Sequence, residues 1–199
     1  MKTKPKCRIA VFCSGNGSNL QALIQAQKKG LFKGSIELVI CDQPAAYAIV
    51  RANKANIPVA LLEGSEFKTR NAYDKAILNI LKKTKIQMVV LAGFMRILTP
   101  QLVNAYKGKM INIHPSLLPA FKGAHGIRDA FRAGVQVTGV TVHFVIPELD
   151  SGSIILQEAV KVSAKDSEIS LAKKIHKVEH QLYPKALNLI IQKKIKEKK

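Results

Sequence analysis

Residues 8–30 read RIAVFCSGNGSNLQALIQAQKKG, and this stretch decides the fold class. Its first six residues form an apolar run that stops at Ser14-Gly15, the pattern of a short buried strand. From Asn19 the period changes. Leu20, Leu23, Ile24 and Gln27 recur at helical spacing, and Gly30 follows as a stop. A buried strand, a glycine turn and an amphipathic helix make the opening of a βα unit.

The same alternation continues outward. Strands are expected at 36–41, 59–62, 87–92 and 110–113. Helices are expected at 45–55, ended by Pro58, at 66–83, and from Pro100. The second half changes character. A glycine-punctuated stretch with a short helix at 127–132 precedes two longer strands, 138–146 and 153–162. Between them, PELDSG carries the Pro147, Asp150 and Gly152 of a loop. A terminal helix at 167–195, with Asp166 as N-cap, places Leu171, Ile175, Val178, Leu182 and Leu189 on its inward stripe. Apolar strands in βαβα order imply an α/β fold: a single doubly wound, mostly parallel, Rossmann-like sheet with helices on both faces. With no internal repeat and no Gly/Ser-rich linker, residues 1–199 read as one domain.

Composition sets limits on function. Of 199 residues, 47% are apolar and 23% charged, so the chain can build a core without cross-links. No apolar stretch reaches the ~18 residues of a membrane span, and the basic start lacks a signal peptide's long apolar run. The expectation is a cytoplasmic protein. Cys7, Cys13 and Cys41 show no CxxC spacing, which fits buried thiols in a reducing compartment and neither a disulfide framework nor a zinc cluster. The net charge of +19 invites a nucleic-acid reading. However, its lysines are scattered, concentrating only at positions 2, 4 and 6 and in the tail from 193, and Trp is absent. With aromatics at 6% and no basic stripe interleaved with them to stack bases, the excess reads as a solvated surface that draws in small anionic substrates, with no nucleic-acid partner.

Three segments carry chemistry. SGNGSN, residues 14–19, ends a strand and starts a helix, where backbone N–H groups point at an anion. Leu20 stands where a dinucleotide fingerprint needs Gly, and no Gly-Lys-Ser/Thr follows, so the choice is between one terminal phosphate and a tight Ser-capped turn. In INIHPSLLP, Asn112 and His114 lie two apart at a strand's carboxyl end and share a side. An imidazole there suits proton transfer, and an amide N–H suits a developing oxyanion, although a His before Pro also serves structurally. Asp150, in ELDSG, is a turn residue unless it lies beside His114, where it would orient the imidazolium. His143, in VTVHFVI, reads as a structural histidine or a neighbour of the site. His176, Glu179 and His180 spell H-x-x-E-H, yet only Glu197 remains downstream as an acidic ligand, so a metal site is not expected.

Together, SGNGSNLQALI, VVLAGFMRILTP, INIHPSLLPAFKGAH, GVTVHFV, ELDSG and EHQLYP closely resemble the folate-dependent phosphoribosylglycinamide formyltransferases of purine synthesis, from Arg8 to about Leu187. The resemblance implies transfer of the formyl group of 10-formyltetrahydrofolate to the amine of glycinamide ribonucleotide, without a metal. Asn112, His114 and Asp150 match the family's catalytic trio. Gly17, Ser18 and Asn19 match the phosphate side of the ribonucleotide site. Glu179, with His176, Lys177 and Val178 before it, matches the ribose end. Met95, Arg96, Ile97 and Leu98, with Ile146, Pro147, Glu148, Leu149, Asp150 and Asn112, match the folate pocket, with Arg70 close by. Residues 1–100 would then be the phosphate-binding half and 101–199 the catalytic and folate-loop half. Monomer and homodimer are both compatible with the family.

Two positions depart from the pattern: Pro147 in a loop where polar residues are common, and Ser153 in place of a frequent Pro. Neither removes a catalytic group. The rival readings are a methionyl-tRNA formyltransferase, which continues into a C-terminal domain, and a formyl-folate hydrolase, which usually carries an N-terminal regulatory domain. SGNGSN favours a small phosphorylated acceptor over both.

Overall fold

A computed structural model describes residues 7–193. The lysines at 2, 4 and 6, and the tail from 194 onward, lie outside the described residues. Seven strands form one sheet in the order β3-β2-β1-β4-β5-β6-β7. They are β1 (Cys7–Cys13), β2 (Gly34–Cys41), β3 (Val59–Leu61), β4 (Met88–Leu91), β5 (Met110–His114), β6 (Val137–Phe144) and β7 (Ile154–Lys161). The first five run parallel to one another, whereas β6 pairs antiparallel to β5 and β7 antiparallel to β6.

The helices are α1 (Ser18–Lys28), α2 (Tyr47–Lys54), α3 (Arg70–Lys83), α4 (Pro100–Ala105), α5 (Gly126–Arg132) and α6 (Glu168–Ile191). They cover both faces, and the strands supply each face by alternation. Ile9, Val11 and Cys13 of β1 pack with α1, α2 and α6 on one side. Ala10 and Phe12 pack with Tyr73, Ile77 and Leu81 of α3 and Leu102 of α4 on the other. A strand buried on both faces reads as a continuous apolar run because both of its side-chain sets are needed. Each large side chain so buried contributes about 1.5–3 kcal/mol.

The expected elements form, with three local corrections. The helix read at 66–83 is broken. A 3-10 turn at Gly64–Glu66 precedes α3, whose start is set by Thr69 accepting a hydrogen bond from the Ala72 amide. A side-chain cap at the N-terminus outweighs helical periodicity that runs past it. The terminal helix is capped by Ser167, not Asp166, in a reciprocal pair with Ser170. Asp166 instead accepts from the Ser163 amide, from Ser170 and from Lys174. These contacts hold its carboxyl down at about 2, the Lys174 ammonium being the largest cause. That helix ends at Ile191, and the expected end at 195 lies outside the described residues.

The chain leaves β1 in one direction along the sheet, through β2 to β3, and returns to place β4 on its other side. The loops after β1 and β4 therefore diverge and open a crevice at the strands' carboxyl ends, where open α/β sheets bind ligands.

Candidate active site

That crevice is a cleft of about 630 Å³. Four segments line it: the loop after β1, residues 91–98 after β4, the end of β5 with its loop, and residues 145–150 after β6. His176 and Glu179 of α6 close one end.

At the first end, α1 begins at Gly17, whose φ of 72° lies in the left-handed region that glycine adopts without strain. No side chain caps α1 and no acidic residue occupies its first turn. The Ser cap allowed by sequence is not formed, because Gly17 holds the cap position, while Ser14 Oγ accepts from the Met95 amide and so ties the loop to residues 93–98. The first N–H groups of α1 keep their positive potential for an anion. Asn19 Nδ2 donates to Glu179 Oε2 at 3.0 Å, and His176 Nδ1 donates to the same oxygen at 2.9 Å. The hydrogen bond to Glu179 raises the His176 pKa above its ordinary value. Tyr183 anchors α6 in this position, its buried hydroxyl donating to the Leu91 carbonyl at 2.7 Å. Lys177 is exposed and Val178 packs toward the core, so neither lines the cleft, although both adjoin residues that do.

The opposite end is a closed network of side chains. Asn112 and His114 lie together at the end of β5, and Asp150 reaches them from the loop after β6. His114 is 4% exposed, His143 2% and Asp150 9%. His114 Nε2 donates to the Phe121 carbonyl at 2.7 Å, which leaves Nδ1 to exchange a proton. Nδ1 faces Asp150 Oδ2 at 3.5 Å. Asp150 Oδ2 also accepts from the Gly123 amide at 2.9 Å, and Lys122 donates to Ser151 at 2.7 Å. These contacts fasten the loop after β5 to the loop after β6. Asp150 has a φ of 47°, a left-handed conformation that aspartate tolerates better than most residues. Two residues on, a Cβ at Gly152 would lie 1.8 Å from the Phe144 carbonyl oxygen, so only glycine fits the turn.

His143 belongs to the site. Its Nδ1 donates to the Phe144 carbonyl at 2.8 Å, and burial lowers its pKa and so favours the neutral ring, in which Nε2 is the acceptor. Asn112 Nδ2 lies 3.3 Å from that nitrogen. An acceptor there requires the NH₂ of Asn112 to turn toward it, and the second N–H of the amide stays free to donate elsewhere. One backbone carbonyl thus sets a histidine tautomer, and the tautomer sets an amide. Thr141 and Gln157, unlike His143 absent from the sequence reading, secure the loop that follows His114. Thr141 donates to the Ser116 carbonyl at 2.7 Å and accepts from the Leu118 amide at 3.0 Å, while Gln157 donates to the Leu118 carbonyl at 2.9 Å. Their signal in sequence was alternation on β6 and β7, which reads as ordinary strand patterning.

Between the ends, the cleft walls are apolar. Met95 (67% exposed), Ile97 (63%) and Leu149 (57%) project from the loops after β4 and β6, with Phe94, Ile146 and Pro147 beside them. Large apolar side chains held in the open around one cleft mark a binding surface. Arg70 stands outside the cleft lining but donates to the Ile97 carbonyl at 3.1 Å, which holds the loop. Among the described residues, no three His, Cys, Asp or Glu side chains are grouped to hold a metal, and no helix is long and apolar enough to cross a membrane.

An uncapped helix terminus, an apolar wall and the Asn112–His114–Asp150 group share one crevice of an α/β sheet. Residues 7–187 match the formyl transferase family model, and the chain belongs to that family. It is 41% identical to a Bacillus subtilis phosphoribosylglycinamide formyltransferase over 92% of this chain and 94% of that one. Against the Escherichia coli K12 protein of the same name, identity is 44% over 88% and 83% of the two chains. The human trifunctional purine biosynthetic protein adenosine-3 is 44% identical over 94% of this chain, which spans only 18% of its length. A Bacillus halodurans phosphoribosylglycinamide formyltransferase structure superposes with a TM-score of 0.91 at 45% identity, covering 94% of this chain and 97% of that one.

Proposed function

We propose that the chain transfers the formyl group of 10-formyltetrahydrofolate to the amine of glycinamide ribonucleotide, the acceptor in the names of its bacterial relatives. The observation that carries this reading is the join within one cleft of a helix terminus suited to phosphate and the Asn112–His114–Asp150 group. The apolar side chains of Phe94, Met95, Ile97, Ile146, Pro147 and Leu149 fit a flat pterin, and the formyl donor supplies an activated one-carbon unit there. Phosphate rests on the N–H groups of Gly17, Ser18 and Asn19, and Glu179 receives the ribose hydroxyls beside His176. Asn19 Oδ1, buried without a partner, suits a hydroxyl donor of the same substrate.

Bond formation between the amine and the formyl carbon puts negative charge on the formyl oxygen and leaves one proton too many on nitrogen. Asn112 donates to that oxygen through the N–H not used by His143. His114 Nδ1 takes up the excess proton, and Asp150 steadies the imidazolium so formed. A proton is returned to the nitrogen of the departing tetrahydrofolate, so protons balance without a metal. Residues 1–199 act as one formyltransferase domain with a cytoplasmic location.

An absorbance assay of formyl-donor consumption tests the reading with three acceptors: glycinamide ribonucleotide, water alone and charged initiator tRNA. Turnover only with the ribonucleotide is expected. Release to water, or transfer to tRNA alone, overturns the proposed acceptor.

A further inference from the structure

The loop that begins α1 contains two glycines in three residues and no side chain of its own that caps the helix. Such a segment is intrinsically loose. A phosphate site made of backbone N–H groups nevertheless requires those groups to be held still. The restraint comes from α2. The Ala48 amide donates to the Gly15 carbonyl at 3.1 Å. Gly17 lies so close to the same residue that a Cβ on it would stand 2.8 Å from Ala48 Cβ. The residue between them is gripped by Arg51. Its Nε donates to the Asn16 carbonyl at 2.8 Å, and Nη2 donates to Asn16 Oδ1 at 3.0 Å.

Nη1 extends the grip to Gln21 Oε1 at 3.4 Å on the second turn of α1. The guanidinium also lies over the Tyr47 ring, 4.8 Å from its centroid, which fixes its plane. Every acceptor is a neutral oxygen, and among the described residues no carboxylate pairs with Arg51, so its charge is not cancelled beside a loop suited to an anion. Arg51 itself does not line the cleft. From this geometry we infer that Arg51 is a positioning residue for the phosphate monoester of the acceptor, acting through Asn16 on the loop that carries Gly17, Ser18 and Asn19.

The inference rests on the proposed function for the identity of the acceptor, though not for the anion. Arg51→Ala and Arg51→Lys are compared with the wild type in two measurements. The first is thermal stabilisation by inorganic phosphate, titrated to its midpoint. Losing a charged fork at Asn16 is expected to weaken apparent phosphate affinity about tenfold in Arg51→Ala. Arg51→Lys keeps the charge and the packing over Tyr47 but cannot span two oxygens, so it is expected to resemble the alanine variant, and it serves in its place if that variant does not fold. The second is formyl transfer to the ribonucleotide and to its dephosphorylated nucleoside. For the ribonucleotide, kcat/KM falls about tenfold through KM, with kcat and the donor KM unchanged, while the nucleoside shows no change.

Full restoration by lysine overturns the positioning role in favour of charge alone, and an equal loss on the nucleoside overturns it in favour of general structural support. A wild type that phosphate does not stabilise also removes the inference. A wild type whose phosphate response depends on Arg51, but which passes no formyl group to the ribonucleotide, leaves the inference standing and sinks the proposed reaction.

Discussion

The two ends of the cleft are built by opposite means. At the α1 end, uncapped backbone N–H groups and a glycine turn face the cleft, with His176 and its Glu179 partner at the edge. At the β5 end, three side chains under 10% exposed are locked to one another and to backbone carbonyls. The first is a parallel βα junction, whose helix terminus faces the crevice by construction. The second needs antiparallel strands, since the return of β6 beside β5 brings His143 opposite Asn112. Only a change to proline deletes a backbone donor, and a fault at this end is expected to show as weaker binding. The buried network fails in the reaction step.

The largest break in this contrast is expected from His114→Ala, with kcat reduced on the order of 10³-fold and donor binding preserved, as measured by steady-state turnover and folate titration. Wild-type turnover in that variant would remove the proton-transfer role. Asn112→Ala is expected to cost about 10²–10³ in kcat as a single oxyanion donor is lost, and a change confined to KM would reassign it to binding. Gly152→Ala tests whether the catalytic end depends on its turn. Moving the Phe144 carbonyl displaces Asp150, and a misplacement near 1 Å is expected to lower kcat about 10²-fold.

The smallest effect sharpens the contrast by sign. Burial lowers the His143 pKa, so protonation favours the unfolded chain, and its contribution to stability is lost as pH falls below the ordinary value of 6.5. The His176 pKa is raised by Glu179, so its contribution is full below 6.5 and fades as pH rises through the folded value. Thermal midpoints between pH 5 and 8 should therefore change slope in opposite directions in His143→Asn and His176→Asn. Slopes that change alike would contradict the assigned environments.

Sequence legibility follows the same division. The strand–SGNGSN–helix junction was readable because period and turn residues are local signals, and Asn112 with His114 because a strand repeats every two residues. Asp150 read as a turn residue by its local pattern, and only the resemblance joined it to His114, since spacing cannot show a contact. The start of α3 was misread because the cap that sets it is one hydroxyl on Thr69, which leaves no mark on the apolar spacing of Tyr73, Ile77, Ile80 and Leu81. His143 was left between two readings, because alternation assigns a face and not a partner. Arg51 carried no signal, being one cation among 32 Lys and Arg residues.

The sequence by itself determined the order of strands and helices, the mostly parallel α/β class and the chemistry available at each strand end, since all of these depend on neighbours within a few residues. Tertiary structure alone decided that His114 meets Asp150 across 36 positions, that a backbone carbonyl makes His143 an acceptor for Asn112, and that α2 reaches back to hold the loop before α1. Such contacts come from sheet pairing and helix packing, whose registers are set by the burial of whole faces and not by the spacing of any one motif.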